Sequence, residues 1–402
     1  MKRSSRRATL AAVLALLLAG GAAWSLRPTD PFRGADITNP AFPSLTYSIQ
    51  VFGWWDTGYF GYQMDTVNML GFNTIKQTFA WRDLEPLPGR WDFTQADRIL
   101  AEAERRGIRV VARLGQVPEW AAVGSRQSDD DHDAPPDDLN AWAAYCGTLA
   151  ARYRGRIVGY QVWNEPNLSR EWGDQPPDAA GYTQLLAACS AAIRAADPSA
   201  KVISAGLAPT GTHDATAVPD DVFLDAMYRA GFQQHVDAVG VHAPGFSAPE
   251  YGPDDAERDG RGRWASFRRV EDLRKIMLLH NDSARQMAIL EMGYTTDPIH
   301  PAYSWFAVTE EQRADYMLRA YDYIVRHWRP WVGLVSAIYL QKPGWDQSDE
   351  EYWWSLSTFD RYHSPALMAM MRMPKFCDDF VVPEGPLNAT EEEYRGLVKS
   401  CP

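Results

Sequence analysis

The stretch 157–167, IVGYQVWNEPN, decides how the rest of the chain is interpreted. Its first seven residues are mostly β-branched or aromatic, which predicts a strand of a parallel sheet that is buried on both faces. Pro166 ends this strand, because proline has no backbone N–H to donate and biases Glu165 toward an extended backbone. The sequence therefore predicts a carboxylate, Glu165, at the carboxyl end of a buried strand, where an idle charge is costly. For this residue alone, a Glu at the first exposed position of a loop stays open as the alternative.

A second stretch, 286–293 with the sequence QMAILEMG, repeats the plan of an apolar strand with a Glu near its end. The distance from Glu165 to Glu291 fits about three further βα units of a barrel in which strands and helices alternate. Two carboxylates at neighbouring strand ends of one barrel are the arrangement that retaining glycosidases use. The two stretches together therefore point to a catalytic pair.

The sequence WNEP at 163–166, followed much later by an apolar run that ends in E-x-G, resembles the clan A retaining β-glycoside hydrolases, most closely families 39 and 5. The resemblance covers about residues 46–370 in layout, although its specific residues are confined to short motifs. It implies that Glu165 is the acid/base on strand 4 and that Glu291 is the nucleophile on strand 7. It also implies that Asn164 binds the 2-hydroxyl group of the sugar.

The chain contains eight segments that are typical of strands, mostly separated by segments of helical periodicity. They are 46–52, 72–79, 108–114, 157–163, 201–206, 236–242, 286–293 and 334–340. This alternation predicts an α/β fold, a (β/α)8 TIM barrel formed by one catalytic domain over 46–373. Residues 28–45 are expected to be a lead-in linker, and residues 374–402 an irregular tail that packs on the barrel.

Two further polar residues lie on the predicted strands. Lys76 lies inside apolar strand 2, and an ammonium group there needs a counter-charge. In the resembled families an Arg near the nucleophile occupies this position; Lys keeps the charge but lacks the bidentate geometry of Arg. The alternative is that Lys76 extends outward to solvent. His242 ends strand 6, where a His alone is more often structural, but the resemblance implies that it orients the nucleophile Glu291.

Three tryptophans are predicted to contact the sugar. Trp81 follows strand 2, Trp172 lies in the loop after Glu165, and Trp345 lies in the loop after strand 8. The resemblance implies a sugar platform for Trp345, with Trp353 and Trp354 as competing candidates.

The N-terminus has the pattern of a targeting segment. Lys2, Arg3, Arg6 and Arg7 precede an uncharged, largely apolar run at 8–26, and small residues 20–23 follow its core. This predicts a signal peptide over 1–27 with cleavage after Ala23. The run is also just long enough to span a bilayer, so an uncleaved membrane anchor is the alternative. Both alternatives predict an exported protein whose catalytic part is extracytoplasmic.

The four cysteines Cys146, Cys189, Cys377 and Cys401 suit an oxidising compartment and allow three disulfide pairings. No CxxC or HExxH spacing supports a thiol or zinc site. The acidic loop 128–138, SDDDHDAPPDD, has carboxylates that suit Ca²⁺ but lacks EF-hand spacing, so a solvated loop is favoured. We therefore expect neither a metal nor another cofactor. The net charge of −12 argues against nucleic acid as a partner.

The mechanism that the resemblance implies is a double displacement on a carbohydrate substrate. Glu291 is expected to be kept ionised by Lys76, and the pKa of Glu165 is expected to be raised by the nearby negative charge and by partial burial. Two alternatives share the same residues: a transglycosylase, and a carbohydrate-binding protein that has lost turnover. The sugar, endo or exo action and the oligomeric state cannot be read from the sequence.

Overall fold

The structure is a computed structural model and describes residue 32 and residues 36–56, 58–122, 133–358, 362–377 and 380–382. The predicted signal peptide or anchor at 1–27, residues 128–132 of the acidic loop, and Cys401 lie outside the described residues. Among those described, no helix is long and apolar enough to cross a membrane.

Eight parallel strands close into a barrel in sequence order, with β8 pairing back to β1. The strands are β1 Thr46–Val51, β2 Thr74–Ala80, β3 Arg109–Gly115, β4 Ile157–Val162, β5 Lys201–Ser204, β6 Ala238–Pro244, β7 Gln286–Gly293 and β8 Val332–Ala337. Almost every strand residue is buried, as expected when helices cover the outside and side chains fill the inside. The predicted TIM barrel is confirmed.

Helices connect the strands and cover the barrel. The principal ones are Phe60–Met69, Thr94–Glu104, Leu139–Arg152, Ala179–Ala196, Asp220–Arg229, Arg269–Leu279, Glu310–Tyr323, which continues as a π-helical turn Ile324–Trp328, and Pro365–Arg372. Shorter helical segments, mostly in the loops at the carboxyl ends of the strands, are Trp81–Leu84, Glu119–Ala121, Ser169–Glu171, Phe232–His235, Pro253–Arg258, Pro301–Ser304 and Glu350–Trp354. The helix Glu310–Tyr323 begins with a capping box: Thr309 accepts a hydrogen bond from Gln312 N, and the Gln312 side chain accepts one from Thr309 N.

The described residues just before and just after the barrel form structure that the sequence analysis did not predict. Phe42, in the expected linker, is buried, and its backbone N–H donates to Oε1 of Gln286 on β7 at 2.9 Å. The start of the expected irregular tail forms a hairpin of β9 Lys375–Cys377 and β10 Phe380–Val382. Phe376 N donates to the hydroxyl oxygen of Tyr47 on β1 at 2.8 Å, so this hairpin lies against the barrel.

A disulfide joins Cys146 to Cys189, which selects one of the pairings that the sequence left open. Its two cysteines lie on the helices Leu139–Arg152 and Ala179–Ala196, which precede and follow β4 in the chain. The bond therefore fastens together the two helices that flank the strand carrying Glu165.

Candidate active site

Glu165 lies just beyond β4 in a strained backbone turn. Trp163 has φ 74° and Glu165 has φ 38°, values that non-glycine residues rarely adopt and that cost about 1–3 kcal/mol each. The expectation of an extended backbone at Glu165 is therefore wrong. Two hydrogen bonds hold the turn: Trp163 Nε1 donates to Glu171 O at 2.8 Å, and Glu165 N donates to Gly206 O at 3.0 Å.

His242 lies between the two glutamates. Its Nδ1 is 2.8 Å from Oε1 of Glu165 and 3.6 Å from Oε2 of Glu291. One carboxylate oxygen of each Glu and one nitrogen of His242 all lie within 4.8 Å of one another. The barrel thus brings the two predicted carboxylates, which are far apart in sequence, into one site.

Lys76 extends into the barrel, and its Nζ donates to Oε1 of Glu291 at 2.9 Å. Only 1% of its side chain is exposed, so the alternative that it extends outward is wrong. Burial lowers the pKa of Lys76, and the charge of Glu291 opposes this effect. Burial raises the pKa of Glu291, but the charges of His242 and Lys76 outweigh burial and leave that pKa lowered.

The pKa of Glu165 is lowered in the unliganded chain. Burial raises it, but the hydrogen bond and charge of His242 and the charge of Arg170 outweigh burial. Arg170 Nη2 donates to Oε2 of Glu165 at 3.2 Å. The expectation of a raised pKa is therefore wrong for this state, because it considered burial and the nearby negative charge but not the hydrogen bond from His242 or the charge of Arg170.

The imidazole of His242 has one partnered nitrogen. An ionised carboxylate only accepts hydrogen bonds, so Nδ1 carries the proton that it donates to Glu165. Nε2 is buried and has no hydrogen-bond partner among the described residues. The ring packs against Gly206, where an added Cβ would lie 2.2 Å from Nε2, so a glycine is required at that position.

A cleft of about 630 Å³ opens at the carboxyl end of the barrel above these residues. Asn164, Glu165, Glu291 and Trp345 all line it. Trp345 packs edge-on against Phe52, with ring centroids 4.7 Å apart, which holds it at the cleft wall. Of the competing candidates, Trp354 is only 5% exposed and donates its indole N–H to Oε2 of Glu350 at 3.0 Å.

Two predicted substrate contacts are wrong because their side chains lie in the core. Trp81 is fully buried, stacks on Tyr145 with centroids 5.0 Å apart, and donates Nε1–H to Glu85 at 2.8 Å. Trp172 is 6% exposed and packs edge-on against Trp163, behind the turn that carries Glu165. Neither ring is accessible to a sugar in the cleft.

Several cleft residues were missed by sequence reasoning. Burial raises the pKa of Glu171 to about 8, and its Oε1 accepts a hydrogen bond from Asn164 Nδ2 at 3.4 Å. Burial and the charge of Glu351 raise the pKa of Glu350, on the loop after β8, to about 7. Arg170 and Glu171 follow the NEP motif within a few residues, and this proximity was the signal that could have found them.

The triad of Glu165, His242 and Glu291 is also the group of potential metal ligands found in the described part of the chain. Lys76 already holds Oε1 of Glu291 at 2.9 Å and supplies the positive charge there. The second imidazole nitrogen of His242 lacks the acceptor that usually orients a metal-binding His. The residues present therefore favour proton chemistry over a resident cation.

Comparison with known proteins identifies a family that matches part of the chain. The family described as glycosyl hydrolases family 39 matches residues 76–244, which include Lys76, Glu165 and His242. This confirms the predicted resemblance to clan A glycoside hydrolases.

The chain is 29% identical over 145 residues to endo-1,4-beta-xylanase C of Phanerodontia chrysosporium, covering 35% of this chain and 34% of the xylanase. It is 29% identical over 121 residues to a beta-xylosidase of Geobacillus stearothermophilus, covering 28% of this chain and 24% of that enzyme. The matches thus span about a third or less of these relatives.

A solved family 39 glycoside hydrolase from Bacteroides cellulosilyticus has the same fold, with a TM-score of 0.62 and 18% identity. The similarity covers 84% of this chain and 64% of that one.

Proposed function

We propose that the chain is a retaining β-glycoside hydrolase in which Glu165 is the acid/base and Glu291 the nucleophile. One observation carries the proposal: an oxygen of Glu165 lies within 4.8 Å of an oxygen of Glu291. Retaining enzymes hold their two carboxyl groups about 5–5.5 Å apart, whereas inverting enzymes need about 6.5–9.5 Å to admit a water molecule. The short separation favours direct attack by one carboxylate on the sugar.

In the first step Glu291 attacks the anomeric carbon. A bond forms between a carboxylate oxygen of Glu291 and this carbon as the glycosidic carbon–oxygen bond breaks. The departing oxygen takes a proton from Glu165. Lys76 and His242 keep Glu291 ionised, and therefore nucleophilic, before the attack.

Glu165 must carry a proton when the substrate is bound, although its pKa is lowered in the empty cleft. A bound sugar displaces water from the cleft and strengthens the burial effect that already raises the pKa of Glu165. This effect favours the protonated form of Glu165, and therefore proton donation, in the complex.

The second step reverses the roles. The ester at Glu291 removes one negative charge from the site, and Glu165 takes a proton from a water molecule that attacks the same carbon. The bond to Glu291 then breaks and the carboxylate is regenerated. Asn164 beside the acid/base is positioned to bind the 2-hydroxyl group, a contact that strengthens in the transition state, and Trp345 offers a wall for the sugar ring.

The names of the relatives suggest the first substrates to try. Since they are described as an endo-1,4-beta-xylanase and a beta-xylosidase, β-1,4-xylo-oligosaccharides and aryl β-xylosides are the first probes for this chain. We also propose that residues 1–27 export the protein, so that it meets such substrates outside the cytoplasm.

The test is Glu165→Ala with and without azide on an aryl β-xyloside and on matched β-glucosides and β-galactosides. We expect the variant to lose about 10²–10⁴-fold in turnover of substrates with poor leaving groups. For aryl glycosides with good leaving groups, which depart without a proton, azide needs no general base and should restore turnover by attacking the glycosyl-enzyme to yield a β-glycosyl azide. Glu350→Gln, which changes a cleft carboxylate outside the pair, is the control and should show no azide rescue.

An α-configured azide would contradict retention, and loss of activity without rescue would contradict the acid/base role. Products longer than the substrate, formed when an acceptor sugar is added, would assign the same two glutamates to transglycosylation. Glycan binding without turnover by the parent chain would assign the site to a binding protein.

A further inference from the structure

Aromatic side chains continue from the cleft to the protein surface on the loops after β6 and β7. Tyr303, which lines the cleft, contacts Phe306 with ring centroids 6.2 Å apart, and Phe306 contacts Trp305 at 4.8 Å. Phe246 and Trp264 complete this group, which we call the outer aromatic platform (Phe246, Trp264, Trp305 and Phe306). Phe246 and Phe306 belong to the same apolar cluster as Phe52 and Tyr339 of the cleft, with Trp264 and Trp345 packed against it.

Trp305 is the exposed member of the platform. Trp305 is 45% exposed, and every other tryptophan that the structure describes is less exposed. The ring of Phe246 lies nearly parallel to the Trp305 ring, 5.9 Å away with an interplanar angle of 22°. The indole N–H of Trp305 donates to Ala302 O at 3.0 Å. The ring is thus held in a defined orientation while much of its surface faces solvent, although exposing apolar area costs free energy.

Trp264 supports the platform from the long loop after β6. Its indole lies on the backbone of two glycines: an added Cβ would lie 2.4 Å from Nε1 at Gly211 and 2.2 Å from it at Gly262. The indole N–H of Trp264 makes no hydrogen bond to any residue in the described ranges. This N–H is therefore available as a hydrogen-bond donor at the edge of the platform. Arg261 brings a guanidinium group within 5.6 Å of the centre of the Trp305 ring.

We propose that the outer aromatic platform is a distal sugar subsite, and that the substrate is a β-linked polysaccharide long enough to occupy it and the catalytic pair together. A pyranose ring presents C–H groups on its faces and hydroxyl groups around its edge. The indole of Trp305 is 45% exposed and has the guanidinium group of Arg261 over its ring, so it offers apolar surface and hydrogen-bond donors together, which matches that distribution. Because the platform continues the aromatic wall of the cleft, one extended chain can contact both. This inference rests on the proposed function and adds to it a substrate long enough to extend beyond the catalytic pair.

The test measures binding with turnover blocked. The full chain carrying Glu291→Gln is titrated calorimetrically with β-1,4-linked xylose, glucose and mannose oligomers of two to six units. The same titrations are made after adding Trp305→Ala. We expect the affinity for at least one series of oligomers to rise with oligomer length. Trp305→Ala should lower the affinity for the hexamer about 10-fold and reduce the ratio of hexamer affinity to dimer affinity.

Two controls separate stacking from folding effects. Trp305→Phe retains an aromatic face and should recover most of the hexamer affinity. Leu279→Ala alters a side chain that is 80% exposed at the end of the helix Arg269–Leu279, outside the cleft, and should leave the affinities unchanged.

Three results would overturn the proposed subsite. They are an equal loss of affinity for dimer and hexamer in Trp305→Ala, no loss for either, and no binding of any series. A separate measurement tests the proposed function: the rate of hydrolysis by Glu291→Gln is compared with that of the parent chain. Equal rates would show that the proposed function is wrong, whatever the binding results are. Chain-length-dependent binding lost with Trp305→Ala would still establish the platform in that case.

Discussion

The Nδ1 atom of His242 lies 2.8 Å from Oε1 of Glu165, so the imidazole contacts the proposed acid/base more closely than it contacts the proposed nucleophile, Glu291, 3.6 Å away. A residue expected only to orient Glu291 therefore acts on both carboxylates. Its hydrogen bond and charge lower the pKa of Glu165, and its charge lowers the pKa of Glu291. The protonation states that double displacement needs are thus coupled through one side chain.

Replacing His242 by Gln should move the whole pH profile of kcat/KM to higher pH. The acid limb reports protonation of the nucleophile, and the basic limb reports loss of the proton of the acid. Since His242 lowers the pKa of both Glu291 and Glu165, its removal raises both. His300→Gln is the control, because His300 contacts Asp297 at 2.7 Å and not the catalytic pair. Limbs that stay in place in His242→Gln would show that the imidazole does not control these carboxylates.

Lys76→Met should impair catalysis through the nucleophile alone. Without its counter-charge the pKa of Glu291 rises, so the acid limb of kcat/KM moves to higher pH while the basic limb stays nearly fixed. We expect kcat/KM at the optimum to fall by about 10²-fold, the range of one lost electrostatic contact in a buried site. Lys76→Arg keeps the charge and should keep the acid limb in place. If the acid limb of Lys76→Arg moved as far as that of Lys76→Met, the cause would be disturbed packing and not loss of charge.

Glu171→Gln should stabilise the protein at high pH. The folded-state pKa of Glu171, about 8, lies above its ordinary value near 4.5, so the folded chain binds the proton more tightly than the unfolded chain. Between these values the unfolding free energy of the parent falls as pH rises, by up to about 1.4 kcal/mol per pH unit. The variant does not titrate there, so its advantage should grow from pH 5 to pH 9 in urea unfolding. A constant difference would show that Glu171 is not held protonated.

The barrel and the position of two carboxylates at one of its rims were predictable because they depend on local patterns. Each strand is a short apolar run between helical segments, and Glu165 and Glu291 lie at strand ends that a closed barrel must bring to one rim. Lys76 followed from the same logic, because a buried ammonium needs a partner and Glu291 lies on the same rim.

The side chains that sequence reasoning misplaced depend on contacts between distant segments. Trp81 is buried because Tyr145, on the helix before β4, stacks on it, and no local pattern reveals that contact. The pKa of Glu165 depends on His242, which β6 brings across the barrel. Trp305 attracted no notice because it lies in a loop without periodicity, and its significance comes from neighbouring rings on another loop.

The disulfide between Cys146 and Cys189 should contribute to stability more than to catalysis. It closes a loop of sequence separation 43, for which the chain-entropy estimate is about 4 kcal/mol. The double replacement by Ser should therefore lower the unfolding free energy by roughly 3–4 kcal/mol, while kcat/KM changes little because hydrogen bonds from Glu165 and Trp163 hold the catalytic turn. Urea unfolding of the parent with and without dithiothreitol measures the same quantity, with Cys377→Ser as the matched single-thiol control. The stabilising role would be contradicted if the urea midpoint of the parent chain stayed the same after dithiothreitol had broken the bond. If Cys377→Ser abolished the effect of dithiothreitol, the stabilisation would come from a cysteine of the tail and not from the bond between Cys146 and Cys189.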